Sequence, residues 1–100
     1  MNTYLHDVLN TYKLKIKWLN KTTLGLIDFD KRTIYINLEL FIVDTFLHES
    51  LHHVYYNDSE SKIIKKTNDK ISRMSIRDIH LLSNTVLKKS KKKLLTSHKK

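Results

Sequence analysis

The chain of 100 residues contains no cysteine and no proline, and it has a single glycine. The absence of cysteine excludes disulfide bonds, thiolate nucleophiles and zinc sites with cysteine ligands, so any metal must be held by histidine and carboxylate. No apolar run reaches the ~18 residues that a membrane-spanning helix requires. The N-terminal residues do not read as a secretory signal, because no apolar stretch follows a charged one. We therefore expect a cytoplasmic protein.

Positive charge is abundant but unevenly distributed. The formal net charge is +9, yet residues 88–100 contain seven lysines and no acid, which leaves only +2 for residues 1–87. We therefore expect one domain over residues 1–87, followed by a lysine-rich C-terminal tail over residues 88–100. Such a tail could make a weak nucleic-acid contact through counterion release. The simpler interpretation is a solvated, frayed C-terminus.

Hydrophobic periodicity predicts an α+β domain. Residues 13–18 alternate between polar and apolar side chains, which is typical of a half-buried strand. Gly25, within the second predicted strand, suggests a bulge or a close backbone approach. We expect a small three-stranded antiparallel sheet, packed on one central helix and followed by two further helices. The predicted strands are 13–18, 24–29 and 33–38, and the predicted helices are 2–11, 40–56, 59–73 and one that contains Ile76, Ile79, Leu82 and Val86.

The central helix contains an HExxH motif formed by His48, Glu49 and His52. Residues four apart lie on one face of a helix, so both imidazoles can reach one ion. Zn²⁺ binds neutral imidazole nitrogens and, in catalytic sites, keeps one position for water. Glu49 would lie next to that water and accept its proton. Asp44, one turn earlier, could orient His48 as an outer-shell carboxylate. The alternative is a helix whose histidines are ordinary surface residues.

A short sheet whose last strand leads into an HExxH helix resembles the zincin metallopeptidases. Residues 26–36 and 45–52 are similar to small phage and prokaryotic proteins grouped with the SprT-like and ImmA/IrrE-like peptidases. The single-domain size also resembles the minimal gluzincins, which keep little beyond a catalytic helix pair and a sheet. The resemblance covers residues 24–66 and is specific at the HExxH motif. The chain departs from the SprT pattern, which uses a third histidine, because no histidine lies between His53 and His80.

The resemblance also implies a third metal ligand. In gluzincins this ligand is a glutamate on the helix after the motif helix, and the matching residue here is Glu60. Asp58 is the second candidate, although it also suits the N-terminal cap of the next helix. An acid in the first helical turn is favourable without any metal, because it faces the positive end of the helix dipole. The expected metal set is therefore His48, His52 and Glu60 with Zn²⁺, and Glu49 is the expected catalytic residue.

The expected function is hydrolysis of peptide bonds by a metal-activated water. The substrate would be a peptide or protein that adds as an extra strand to the edge of strand 33–38, and the enzyme would act as a monomer. One alternative is an inactive zincin fold that serves as a binding or regulatory module, in the phage or mobile-element setting that the ImmA/IrrE-like resemblance suggests. Another is a small basic nucleic-acid-binding protein.

Overall fold

The computed structural model describes the backbone of residues 3–98 and the side chains of residues 3–91. The protein belongs to the α+β class, as predicted, and each element lies within a few residues of its predicted position. The elements in chain order are α1 (Thr3–Thr11), β1 (Lys13–Ile16), β2 (Gly25–Asp28), β3 (Thr33–Ile36), α2 (Leu38–Val54), α3 (Glu60–Arg73) and α4 (Ile76–His98).

The three strands form a mixed sheet in the order β1-β3-β2. β2 and β3 form an antiparallel hairpin, with Asp28 opposite Thr33. β1 runs parallel to β3, with Lys13 opposite Thr33, so the prediction of an entirely antiparallel sheet is wrong for this pair. The connection 17–24 carries the chain past the β3 position before the hairpin returns, and this places β3 in the centre. Alternation of apolar and polar residues defines the two faces of a strand but not its pairing direction.

The central position of β3 also corrects the predicted substrate edge. β3 pairs with β1 on one side and with β2 on the other. Its backbone groups are therefore already used in the sheet, and strand 33–38 offers no edge to a peptide. The free edges belong to β1 and β2.

The single glycine lies at a close approach between β2 and β3. A Cβ atom on Gly25 would lie 3.3 Å from the carbonyl oxygen of Tyr35. The predicted close backbone approach is therefore confirmed. A larger residue at this position would push β3 away by a few tenths of an ångström.

Asn37 joins the sheet to the helices. Its side chain is fully buried, and its Nδ2 donates hydrogen bonds to the carbonyl oxygens of Asn20 (2.9 Å) and Thr23 (3.0 Å). Its Oδ1 accepts a hydrogen bond from the Leu40 amide at 3.4 Å, which caps the N-terminus of α2. One amide side chain thus fixes the connection before β2 to the start of the motif helix.

The hydrophobic core lies among α2, α3 and α4. Leu40 and Val43 from α2 pack with Ile71 from α3 and Ile79 from α4, and Trp18 from the connection after β1 covers this cluster. β1 is exposed along its whole length, and β2 is nearly so. The predicted packing of the sheet on α2 is therefore not confirmed, and the motif helix is held mainly by the other two helices.

The last helix continues through the predicted boundary between domain and tail. Ser75 Oγ accepts a hydrogen bond from the Asp78 amide at 3.0 Å, which caps the start of this helix. α4 then runs without a break past residues 87 and 88. The tail's side chains after residue 91 lie outside the described residues, so its contact with nucleic acid stays a prediction. None of the described helices combines the length and the apolar character needed to cross a membrane.

Candidate metal centre

Helix α2 brings the two motif histidines together. His48 and His52 lie one turn apart, and their Nε2 atoms are separated by 3.2 Å. The ring centroids are 4.8 Å apart, and the rings are inclined at 69°. The side chains are 23 % and 34 % exposed. The imidazoles therefore stand at the edge of the helical core, with one side open to solvent.

Glu60 closes the cluster from the opposite helix. It is the first residue of α3, and the short turn after α2 reverses the chain so that its side chain faces the imidazoles. Its Oε1 lies 2.6 Å from Nε2 of His48, and its Oε2 lies 2.9 Å from Nε2 of His52. Ser59 caps α3 by accepting a hydrogen bond from the Lys62 amide at 3.4 Å, which fixes where the helix begins.

The spacing of the two imidazole nitrogens suits a tetrahedral metal. Ligand atoms at about 2.0 Å from a tetrahedral Zn²⁺ are separated by about 3.3 Å. The observed Nε2 separation of 3.2 Å matches this value. The contacts between Glu60 and the two imidazoles are shorter, as expected for hydrogen bonds. The carboxylate of Glu60 would therefore have to withdraw from both rings to admit the ion.

Two carboxylates lie near the imidazoles, and their positions differ. His48, Glu49 and His52 offer ligand atoms that all lie within 4.8 Å of one another. Glu49, however, approaches only Nε2 of His48, at 4.0 Å, and its side chain is 72 % exposed. Glu60 contacts both rings at hydrogen-bond distance. Glu60 is therefore the better third ligand, and Glu49 is left free beside the cluster.

Asp58, the second candidate for the third ligand, is engaged elsewhere. Its Oδ2 lies 2.5 Å from the Nζ of Lys66, and that ammonium also lies 3.5 Å from the ring centre of Tyr55. The hydrogen bond from Lys66 lowers the pKa of Asp58 below its ordinary value; the charges of Lys66 and Lys62 lower it further, against an opposing effect of burial. The carboxylate is thus held as an anion by a lysine.

A cavity lies between α2 and α3, and it includes Asp44, one turn before His48, but none of the three residues of the cluster. Asp44 lies one turn before His48 on α2, and Asn68 lies two turns after Glu60 on α3. Residues at these spacings lie on one side of a helix, so Asp44 and Asn68 lie on the same side of the helix pair as the cluster. This open cavity of about 540 Å³ is closed by the connection before β2. No hydrogen bond joins Asp44 to His48 within the described residues. The structure gives no support to the predicted orienting role of Asp44. The cavity is lined by Lys21, Thr22, Leu24, Leu40, Asp44, Asn68, Ile71 and Ser72.

Two features at the start of the motif helix were not anticipated from the sequence. Asn37 resembles a strand residue, and only its position directly before the motif helix hints at a cap. His80 on α4 pairs with the carboxylate of Glu39 and lies edge-on to Trp18, with ring centroids 5.0 Å apart. Glu39 and His80 are 41 positions apart in sequence, so no local spacing predicts this pair.

Comparisons with known proteins add no family assignment. A scan against protein-family models and searches of curated proteins and of solved structures find no match to this chain. The resemblance to zincins therefore depends on the chain's own residues and on their geometry.

Proposed function

We propose that this protein is a zinc-dependent peptidase of the zincin type. His48, His52 and Glu60 hold the metal, and Glu49 transfers the proton. The observation that carries the proposal is the convergence of two imidazole nitrogens and one carboxylate within hydrogen-bond distance of one another. Two histidines and one glutamate form a known ligand set of catalytic zinc, which leaves a fourth position for water.

The bound ion and the side chains around it would have different chemical roles. When bound by His48, His52 and Glu60, Zn²⁺ would lower the pKa of a water molecule towards ~7 and would polarise the carbonyl of the substrate. The carboxylate of Glu60 supplies negative charge to the cation and fixes both rings. Because both histidines lie on the same rigid helix, the two imidazoles keep their relative positions without reorganisation when an ion binds.

Glu49 is the residue that we assign to proton transfer. It is attached to the same helix as the two histidines, and its carboxylate lies 4.0 Å from Nε2 of His48 on the solvent side. Within the described residues, the carboxylate of Glu49 makes no other hydrogen bond or ion pair. Glu49 takes a proton from the attacking water and delivers it to the leaving amine.

An extended peptide has a plausible path to this centre. The free edge of β2 can accept a strand through backbone hydrogen bonds. Leu24, the residue directly before β2, lines the cavity that also contains Asp44. Asp44 lies one turn before His48 on α2, and this shared cavity is the reason to prefer the edge of β2 to that of β1. We therefore assign the substrate edge to β2 in place of strand 33–38.

A second candidate is a non-catalytic binding module with the same fold. The observation that favours it is that Glu60 already accepts hydrogen bonds from both imidazoles, so the cluster is satisfied without a metal. The side chain of Glu60 is 61 % exposed, so water can also screen these contacts. Metal content separates the candidates, because a purified chain that neither contains nor binds zinc supports this second one.

Replacement of Glu49 by glutamine tests the proposed catalytic role. Zinc-loaded full-length protein is incubated with a mixture of denatured-protein peptides, and the cleavage products are read by mass spectrometry. Glu49→Gln should keep its zinc and lose activity by about 10²- to 10⁴-fold, the usual contribution of a general base. Asp69→Asn, on the exposed face of α3, is the control and should behave as the native chain. Equal cleavage by the native and Glu49→Gln proteins, or none by zinc-loaded native protein, contradicts the proposal.

A further inference from the structure

The outward surface of α3 is strongly basic. At 3.6 residues per turn, every charged residue of this helix except Glu60 falls within one arc of about 140°, which we call the charged arc. The arc holds five basic residues, one acid and no apolar residue. Its members are Lys62, Lys65, Lys66, Asp69, Lys70 and Arg73. Glu60 and the buried residues Ile63, Thr67 and Ile71 lie outside the arc, so this surface is separate from the metal centre.

Most of this positive charge is not neutralised by acids of the protein itself. Lys66 is paired with Asp58, and the guanidinium of Arg73 lies 3.2 Å from the carboxylate of Asp69. The side chains of Arg73 and Asp69 are 78 % and 56 % exposed, so water screens this pair and Arg73 can exchange its partner. The other basic members of the arc make no ion pair within residues 3–91, and they are Lys62, Lys65 and Lys70.

An open cavity borders the charged arc on the side that faces α2 and α4. Its volume is about 490 Å³, which is within the usual range for ligand pockets. Charged residues of the arc and Asp78 form one side of it. The other side is largely apolar and consists of Leu47, Leu51, Tyr55, Met74 and Leu82. A smaller recess of about 340 Å³ lies within the arc itself, and Lys66 and Asp69 line both cavities. The cavity is therefore continuous with the basic surface.

Tyr55 gives this cavity an aromatic surface. The residue follows the last turn of α2, and it is 44 % exposed. The ammonium group of Lys66 lies 3.5 Å from the centre of its ring, so an aromatic ring and a member of the charged arc are in direct contact. Proteins that bind single-stranded nucleic acid combine a basic surface for phosphates with aromatic rings on which bases stack. The charged arc and Tyr55 supply both parts.

The composition of the arc and the shape of the cavity distinguish between anionic ligands. An amphipathic helix that binds a lipid surface inserts apolar side chains, and the charged arc has none. A nucleic-acid duplex keeps its bases paired, so it could contact the lysines but could not place a base in the cavity. An unpaired strand presents phosphates and accessible bases together.

We propose that the charged arc and the adjoining cavity bind single-stranded nucleic acid, with phosphates on Lys62, Lys65 and Lys70 and a base against Tyr55. Release of the counterions that surround the strand supplies much of the affinity. This site lies within the folded domain, whereas the sequence pattern places nucleic-acid contact in the lysine-rich tail. The site is independent of the proposed peptidase activity, because it contains none of the metal ligands.

Two triple variants with the same net charge test the charged arc. The arc variant replaces Lys62, Lys65 and Lys70 by glutamine. The control variant replaces three exposed lysines of β1 and the β2–β3 turn, which are Lys13, Lys15 and Lys31. Binding of a labelled dodecathymidylate to the full chain is followed by fluorescence anisotropy at several salt concentrations. The arc variant should bind at least about 10-fold more weakly, with a salt slope smaller by about 2, because three phosphate contacts are lost. Absence of binding by the native chain, or equal losses in the two variants, overturns the proposal.

A matched pair of tyrosine variants tests the position of the base. Tyr55→Leu should weaken binding of the dodecathymidylate by about 10-fold or more, because a stacked base loses its aromatic partner. Tyr56→Leu changes the next residue, which is 80 % exposed and does not line the cavity, and it should bind as the native chain does. Tyr55→Phe keeps the ring and should also bind normally, which separates loss of stacking from a fault in folding.

Competition experiments identify the class of ligand. Unlabelled dodecathymidylate should displace the labelled strand more effectively than a duplex of the same length, polyglutamate or thymidine monophosphate does. Equal displacement by the duplex or by polyglutamate would show that the surface binds any polyanion. Equal displacement by thymidine monophosphate would show that the ligand is a free nucleotide, and each of these results would contradict a site for single strands.

Discussion

The helical half of the molecule (α2, α3 and α4) and the sheet half (α1, β1, β2 and β3) bury their apolar residues very differently. The helical half contains side chains such as Val43 and Ile63 that are fully buried. In the sheet half, Ile16 is 69 % exposed. The helical half therefore supplies most of the core, and Trp18 of the connection after β1 covers it. The sheet half buries little of its apolar surface.

The sharpest test of this contrast compares one isoleucine from each half. Ile63→Ala removes a fully buried side chain and should lower the free energy of unfolding by about 2–5 kcal/mol. Ile16→Ala should lower it by less than about 0.5 kcal/mol in dilute protein, because the residue is exposed there. Urea unfolding followed by circular dichroism measures both values.

The contrast between the halves depends on the small cost that is expected for Ile16→Ala. A large cost of Ile16→Ala at the lowest concentrations would show that the sheet half already has an intramolecular core, and the contrast between the halves would fail.

Asn37 tests the joint between the halves. Asn37→Ala removes two hydrogen bonds to the connection before β2 and the cap of α2. We expect a loss of about 1–3 kcal/mol in unfolding free energy, because the carbonyl groups of Asn20 and Thr23 lose their donor and α2 loses its cap. Asn68→Ala, at an exposed position of α3, is the matched control and should be close to neutral. Similar melting temperatures for both variants would contradict the role of Asn37.

The smallest expected effect concerns Asp58. The pKa of Asp58 is lowered in the folded protein. Its ion pair with Lys66 therefore stabilises the fold at a pH above the ordinary carboxyl pKa of about 3.9. This contribution is lost as the pH falls through the lower pKa of the folded state. Asp58→Asn should therefore reduce the melting temperature slightly at neutral pH, and the difference should disappear in strong acid. A difference that grew on acidification would have the wrong sign.

The sequence predicts local features well because their causes are local. The period of apolar residues locates the helices and strands, and the four-residue spacing of His48 and His52 places both rings on one face of α2. The Ser75 cap follows from the same kind of short-range chemistry.

Features that depend on long-range packing could not be derived in this way. The parallel pairing of β1 with β3 depends on where the connection 17–24 leads. The alternation of apolar and polar residues does not indicate the direction in which a strand pairs. Alternation also marks Leu14 and Ile16 as one apolar face but does not say what covers it. The approach of Glu60 to both imidazoles depends on the angle between α2 and α3. The resemblance to gluzincins suggested this residue, and spacing alone left Asp58 as an alternative.

Zinc binding by the purified, metal-stripped chain tests the central claim most directly. Titration calorimetry with the zinc ion alone should give one site in the native protein and no measurable site in His52→Ala. Glu60→Gln should bind at least about 10- to 100-fold more weakly, while Asp58→Asn should bind as the native chain does. Absence of zinc binding by the native protein, or unchanged affinity in Glu60→Gln, would contradict a metal centre built from these two helices.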